Sequence, residues 1–161
     1  MQKSEEICNP NIEIHVEDLK DLHNSVGFFV AFVSNSMRNS VTKIFNENGH
    51  DITHAQWSIL MMLWIKDGCQ QQELTKMIYK EKTTVTRLID TLEKKDLLVR
   101  VPDRNNKRNK FIYLTNKGKE LRSKLTPLVL NLNKKASLGF TENELETLKS
   151  YLRRIYENLS E

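Results

Sequence analysis

The stretch VRVPDRNNKRNKFIYLT at 99–115 holds five Lys/Arg side chains against one Asp, set between two short apolar runs. Like charges repel, so folding gains nothing from gathering them at a hairpin tip. The pattern points to an external polyanion meeting that tip. Just upstream, over 82–95, Thr83, Arg87, Asp90 and Lys94 fall on one side of a helix at about 100° per residue, with Thr84 and Thr86 flanking them. Val85, Leu88, Ile89 and Leu92 form the opposite, apolar stripe. An arginine so placed can fork to guanine O6 and N7 or clamp a phosphate. Its bland alternative is a solvated side chain paired with Asp90 or Glu81.

Other chemistries fare less well. His50-Asp51-Ile52-Thr53-His54 superficially resembles a zinc-binding HExxH segment, which needs both histidines on one continuous helix face. Gly49 precedes it and Thr53 caps a helix start, so the register breaks and no metal site is expected. No GxSxG, P-loop or paired-carboxylate constellation occurs elsewhere, so neither catalytic residues nor a cofactor are expected. Cys8 and Cys69 lie far apart with no CxxC spacing. They read as ordinary thiols in a reducing compartment, with redox sensing by Cys8 as the sharper alternative.

These residues need a frame. A chain of 161 residues suits one compact unit with helical extensions, and 39% hydrophobic residues with five Gly and three Pro lean helical. No apolar stretch reaches the roughly 18 residues of a membrane span. The polar, acidic N-terminus has no signal-peptide core, and a cytoplasmic protein is expected. Residues 70–120 carry thirteen Lys/Arg against seven Asp/Glu, while the remainder is slightly acidic. A basic middle between acidic flanks fits a polyanion-binding segment.

Along the chain, apolar residues at spacings of three and four predict a long amphipathic helix over 19–45, stopped by Asn48-Gly49. Thr53 and Gln56 form a capping box for a second helix, whose buried stripe is expected to be Trp57, Leu60, Met61 and Trp64. A short helix over 71–78 should bury Leu74, Met77 and Ile78. The polar-faced helix over 82–95 follows it, and the pair forms a helix-turn-helix pattern. Strands over 97–101 and 110–114 then make a hairpin whose loop is the wing of a winged helix. The second short helix is narrow enough for the major groove of B-DNA, and the cationic loop can follow phosphates or enter the neighbouring minor groove. Leu121, Leu125, Leu128 and Leu132 predict a helix that Pro127 should kink, and Leu145, Leu148, Leu152, Ile155 and Leu159 predict a last one, opened by a Thr141–Glu144 capping box. The surplus apolar faces of these terminal helices imply a partner, most simply a second copy.

The residues that carry a family likeness are TxxQWxIL at 53–60, ELT at 73–75, TTVTRLIDTLEKKDLLVR at 83–100, DRNNKR at 103–108 and LTNKG at 114–118. In that order and spacing the chain resembles the MarR family of bacterial transcription regulators, from about residue 20 to 160. The resemblance implies a mainly α fold with a small β-hairpin wing. It divides into an N-terminal arm (1–18, expected to be mobile), a dimerisation helix (19–47), a winged helix-turn-helix DNA-binding lobe (48–115) and C-terminal dimerisation helices (116–161). It further implies a homodimer on a pseudo-palindromic double-stranded operator, acting as a repressor that a small phenolic or lipophilic ligand releases.

Carried over by position, Lys82, Thr83, Thr84, Thr86 and Arg87 match the DNA-facing part of the recognition helix, and Arg104, Asn105, Lys107 and Arg108 match the wing. The family favours arginine where Asn105 stands, which shifts the wing contact toward Arg104, Lys107 or Arg108. Phe28, Phe32, Trp57 and Met61 are the ligand-pocket candidates, although most such aromatics serve a core or a dimer face. Three positions depart from the pattern: Asp96 and Tyr79 where Gly is common, and Gln70 in place of a Ser/Thr cap. Two rival readings are a winged helix that binds protein rather than DNA, and a metal-dependent enzyme using His50 and His54.

Overall fold

The computed structural model describes residues 16–78, 81–103 and 110–160. The arm at 1–15, Cys8, Tyr79 and the wing residues Arg104, Asn105, Lys107 and Arg108 lie outside the described residues. The chain forms two compact units, Met1–Asn39 and Ser40–Glu161.

The first unit holds α1 (Val16–His23) and most of α2 (Val26–Glu47). Here the structure corrects the single helix expected from 19. Asn24 N donates back to Lys20 O at 3.1 Å, and Ser25 Oγ accepts from Phe28 N at 3.2 Å, so Ser25 opens a new helix. The apolar spacing continues across this break, so periodicity alone does not register it.

In the second unit, Val41 and Phe45 at the end of α2 enter the core. Gly49, at φ +76°, ends the helix in the left-handed conformation. Next come α3 (His54–Ile65), β1 (Cys69–Gln70), α4 (Gln71–Met77), α5 (Lys82–Lys94), β2 (Leu98–Pro102), β3 (Lys110–Leu114), α6 (Asn116–Ala136) and α7 (Glu142–Asn158). The expected capping boxes are present: Thr53 Oγ1 accepts from Gln56 N while Gln56 Oε1 accepts from Thr53 N, and Thr141 and Glu144 repeat the exchange. Backbone donation from Thr141 holds the Glu144 carboxyl below its usual range. α6 continues through Pro127 as one helix.

The sheet is antiparallel, in the order β1-β3-β2. The hairpin pairs Leu98 with Leu114 and Val101 with Phe111, as two strands were expected to do. β1 was not expected: Cys69 pairs with Ile112 and Gln70 with Phe111, adding a third strand too short to show any alternation.

The core gathers Phe45, Ile59, Leu60, Leu63, Leu74, Val85, Ile89, Leu92, Leu98, Ile112 and Leu125, all fully buried. Each such side chain contributes roughly 1.5–3 kcal/mol of burial free energy. Two expected stripes need correction. In α3 the buried positions are Gln56, Ile59, Leu60 and Leu63, with Trp57, Met61 and Trp64 only half-buried. That helix, HAQWSILMMLWI, is apolar almost all round, so its spacing fixes no face. In α4 Leu74 is buried, but Met77 is 41% exposed at the helix end.

Candidate nucleic-acid interface

α5 divides as its spacing predicts. Val85, Ile89 and Leu92 are buried, Leu88 packs against the core, and Lys82, Thr83, Thr84, Arg87 and Lys94 are exposed, with Thr86 half-buried. α3 and α4 pack against this helix, and β2 flanks it.

Two latches fix its position, and a third ties the far end of the hairpin. Arg100 of β2 reaches both Asp90 and Glu93 of α5, and its side chain is only 14% exposed. Its backbone N–H also donates to Glu93 Oε1 at 3.2 Å. Charge-assisted bonds of this kind are short and directional, so the wing hairpin and α5 are tied by a two-carboxylate clamp. Lys95, which caps α5, sets its Nζ 2.8 Å from Asp51 Oδ2 and 3.4 Å from Gln56 Oε1, joining the end of α5 to the start of α3. At the far end of the hairpin, Asp67 Oδ1 accepts from Gly68 N at 3.0 Å and Leu114 N at 2.9 Å.

The Gly of LTNKG has a steric cause as well. A Cβ at Gly118 would fall 2.0 Å from Leu97 O, and Gly118 O accepts from Trp64 Nε1 at 2.9 Å. Only glycine lets α6 approach the hairpin this closely.

These latches sort the charges of the basic middle. Lys95, Arg100, Lys117 and Lys119 are engaged within the fold. Asp90, the proposed partner of Arg87, is taken by Arg100. Arg87, Lys76, Lys82, Lys94 and Lys110 form no ion pair with a described residue. Three of them, Lys76, Lys82 and Lys110, line a cleft of about 420 Å³ together with Gln70, Gln71, Gln72 and Thr75, and among the described residues no carboxylate lines it. Lys76, Gln71 and Lys110 were missed from sequence. The available signal was their place at the two ends of α4, Gln71 first and Lys76 in the last turn, and at the base of the wing.

In the first turn of α4, Glu73 caps the helix by accepting from Gln70 N at 2.9 Å, so the missing Ser/Thr cap is replaced. That backbone bond, reinforced by Lys66, holds the Glu73 carboxyl below its usual range. Cys69 is buried with Sγ 2.9 Å from Lys66 O, and burial pushes its thiol up, away from the reactive thiolate. Asp96 sits at φ +56° beyond α5, filling the left-handed turn for which the family uses Gly.

The remaining candidates fall elsewhere. Phe28 and Phe32 of α2 stack at 6.4 Å between centroids, and Phe32 is 64% exposed. Trp57 lies against Phe45 and His54 in α3, with its Nε1 buried and unpartnered among the described residues. His50 lies in the turn after α2 and His54 opens α3, so the two histidines do not share a helix. Among the described residues no group of His, Cys, Asp or Glu is placed to hold a metal. No described helix is long and apolar enough to cross a membrane.

A buttressed helix with an exposed Thr/Arg face, followed by a latched cationic hairpin, defines a winged helix-turn-helix DNA-binding protein. The MarR family model matches residues 52–110, the span from the start of α3 to the start of β3. The HTH-type transcriptional regulator YybA of Bacillus subtilis (strain 168) is 32% identical over 109 residues, covering 68% of this chain and 73% of its own. The chain belongs to the MarR family of transcriptional regulators. Among solved structures, a MarR family regulator from Listeria monocytogenes in complex with a 26mer DNA shares 26% identity at a TM-score of 0.75, over 84% of this chain and 89% of its own. The MepR–DNA complex of Staphylococcus aureus shares 25% identity at a TM-score of 0.77, over 83% of this chain and 98% of its own. These relatives are regulators, not enzymes.

Proposed function

We propose that this regulator represses transcription as a cytoplasmic homodimer, placing α5 of each copy in successive major grooves of a pseudo-palindromic operator. One observation carries the reading: the Thr83, Thr84 and Arg87 face of α5 is exposed, while Arg100 has already claimed Asp90. The fold leaves the arginine of that face to a partner outside the lobe. Lys82 and Thr86 extend the face, and Arg104, Asn105, Lys107 and Arg108 supply the wing contacts.

A small phenolic or lipophilic molecule releases the protein by favouring another spacing of the two recognition helices, which must lie one helical turn, roughly 34–36 Å, apart on the operator. Trp57 supports this half of the reading, because its buried indole N–H is a donor that a ligand oxygen would satisfy. Met61, on the same helix, is a second candidate to meet such a ligand.

The test is binding of the purified protein to its own upstream DNA against a scrambled duplex, over a salt series. Tight, sequence-dependent binding with a steep salt slope is expected. Arg87→Ala should weaken operator binding by about 1–3 kcal/mol. Unchanged affinity in that variant would overturn the assigned reading face.

A further inference from the structure

Thr86 stands on the helix face assigned to DNA, yet its hydroxyl is already committed twice. Its Oγ1 donates to Lys82 O at 2.9 Å, one turn back in α5. The same oxygen receives Nε2 of Gln71, from the first turn of α4, at 2.6 Å. A threonine hydroxyl has one proton and two lone pairs. The proton is spent inside the protein in either orientation of the Gln71 amide, because Lys82 O accepts it and a flipped amide would only offer Oε1 as a second acceptor.

A back-bond to the preceding turn is common for helical threonine and exchanges readily, since its χ1 divides between two rotamers. The Gln71 bond, made from another helix, removes that freedom. What remains for a base edge is the γ-methyl and a single lone pair. Gln71 also lines the lysine-rimmed cleft beside Lys82 and Lys110, so its amide lies on the surface that the DNA reading requires.

We propose that Gln71 is a positioning residue for base recognition: it locks Thr86 so that this side chain reads DNA through its methyl group, not as a hydrogen-bond donor. Acceptor edges such as guanine O6/N7 and adenine N7 gain nothing from Thr86 in this state. The thymine C5-methyl group is the feature that it fits.

The inference rests on the regulator reading, and the experiment separates the two. Base preferences are measured by random-duplex selection on the parent, Thr86→Val, Thr86→Ser, Gln71→Ala and the Gln71→Ala/Thr86→Val double variant, with Arg87→Ala as the reading-face control. Thr86→Val keeps the methyl and deletes the hydroxyl, so whatever its affinity it should retain the parent's preference for thymine at the contacted position. Thr86→Ser, and deoxyuridine in place of the contacted thymine, should each weaken binding about fourfold, the worth of one buried methyl.

Gln71→Ala should flatten the preference at one base pair per half-site, by about three- to tenfold in discrimination, at an unchanged salt slope. In the Thr86→Val background the same substitution should do nothing, because valine holds a single rotamer without help. A structural role for Gln71 alone would show in both backgrounds, and that result overturns the proposal. So does loss of the thymine preference in Thr86→Val. A parent protein with no base preference overturns the regulator reading itself, and this inference with it.

Discussion

At the scale of single residues, Asp96 shows how the fold outweighs local preference. It holds φ +56° because Leu97 must turn back, its N–H donating to Leu92 O at 3.0 Å, before β2 starts. A side chain in that conformation costs roughly 1–2 kcal/mol, which glycine avoids. Asp96→Gly should therefore raise unfolding stability by about 0.5–1 kcal/mol once the added freedom of the unfolded chain is counted. Urea denaturation checks this: a higher midpoint at constant m-value is expected, and a lower one would mean that the aspartate side chain offsets its own strain. Arg87 and Arg100 make the complementary case. Both are arginines of the basic middle, but Arg100 spends its charge on Asp90 and Glu93, whereas Arg87 keeps its own. Residue type alone does not separate them.

At the scale of elements, the proposed DNA-reading unit is α5 with the hairpin clamped to it, and the cleft lined by residues of α4, α5 and β3 adjoins it at Lys82. Lysines around a cleft without carboxylates suit backbone phosphate, which carries no sequence information. Lys76→Gln and Lys110→Gln should each lower the slope of log affinity against log salt by about 0.9 for every phosphate that is no longer neutralised. The loss should be equal on operator and scrambled duplex, unlike that of Arg87→Ala. An unchanged slope in both variants would remove the cleft from the interface. The capping boxes at Thr53 and Thr141 and the glycine at 118 were legible at this scale, because each is a local exchange of hydrogen bonds or a motif position. The Ser25 break and the two-residue β1 were not, since neither disturbs a periodic signal.

At the scale of the whole molecule, the apolar surface is the informative quantity. α7 buries none of its residues, and Leu148, Tyr151 and Leu152 stay exposed along it, with Leu159 exposed at its C-cap. In α2, Val26, Phe29, Phe32 and Val33 are exposed as well. Apolar helix faces left open in this way mark an association surface. A second copy covers them in the proposed dimer. Sedimentation should give twice the chain mass, and Leu152→Glu should shift the protein to monomer without unfolding it, because this position supports no core. Operator affinity should then fall by about a hundredfold or more, as two linked half-sites become one. A parent protein that sediments as a monomer would overturn the dimer.

The sequence by itself determined the class. Helical and strand spacing, the order of the motifs, the polar Thr/Arg face and the cationic wing are all local in the chain, and each follows from a few neighbouring residues. The tertiary structure decided which of those charges remain available. Arg100, Lys95 and Lys119 are neutralised by partners 7 to 52 positions away along the chain, and Thr86 is locked by Gln71 15 positions before it. Pairing at such separations depends on how helices and strands are brought together, and no local pattern encodes it. The same reason explains α3: an almost wholly apolar helix carries no phase of its own, and only its neighbours choose which side is buried.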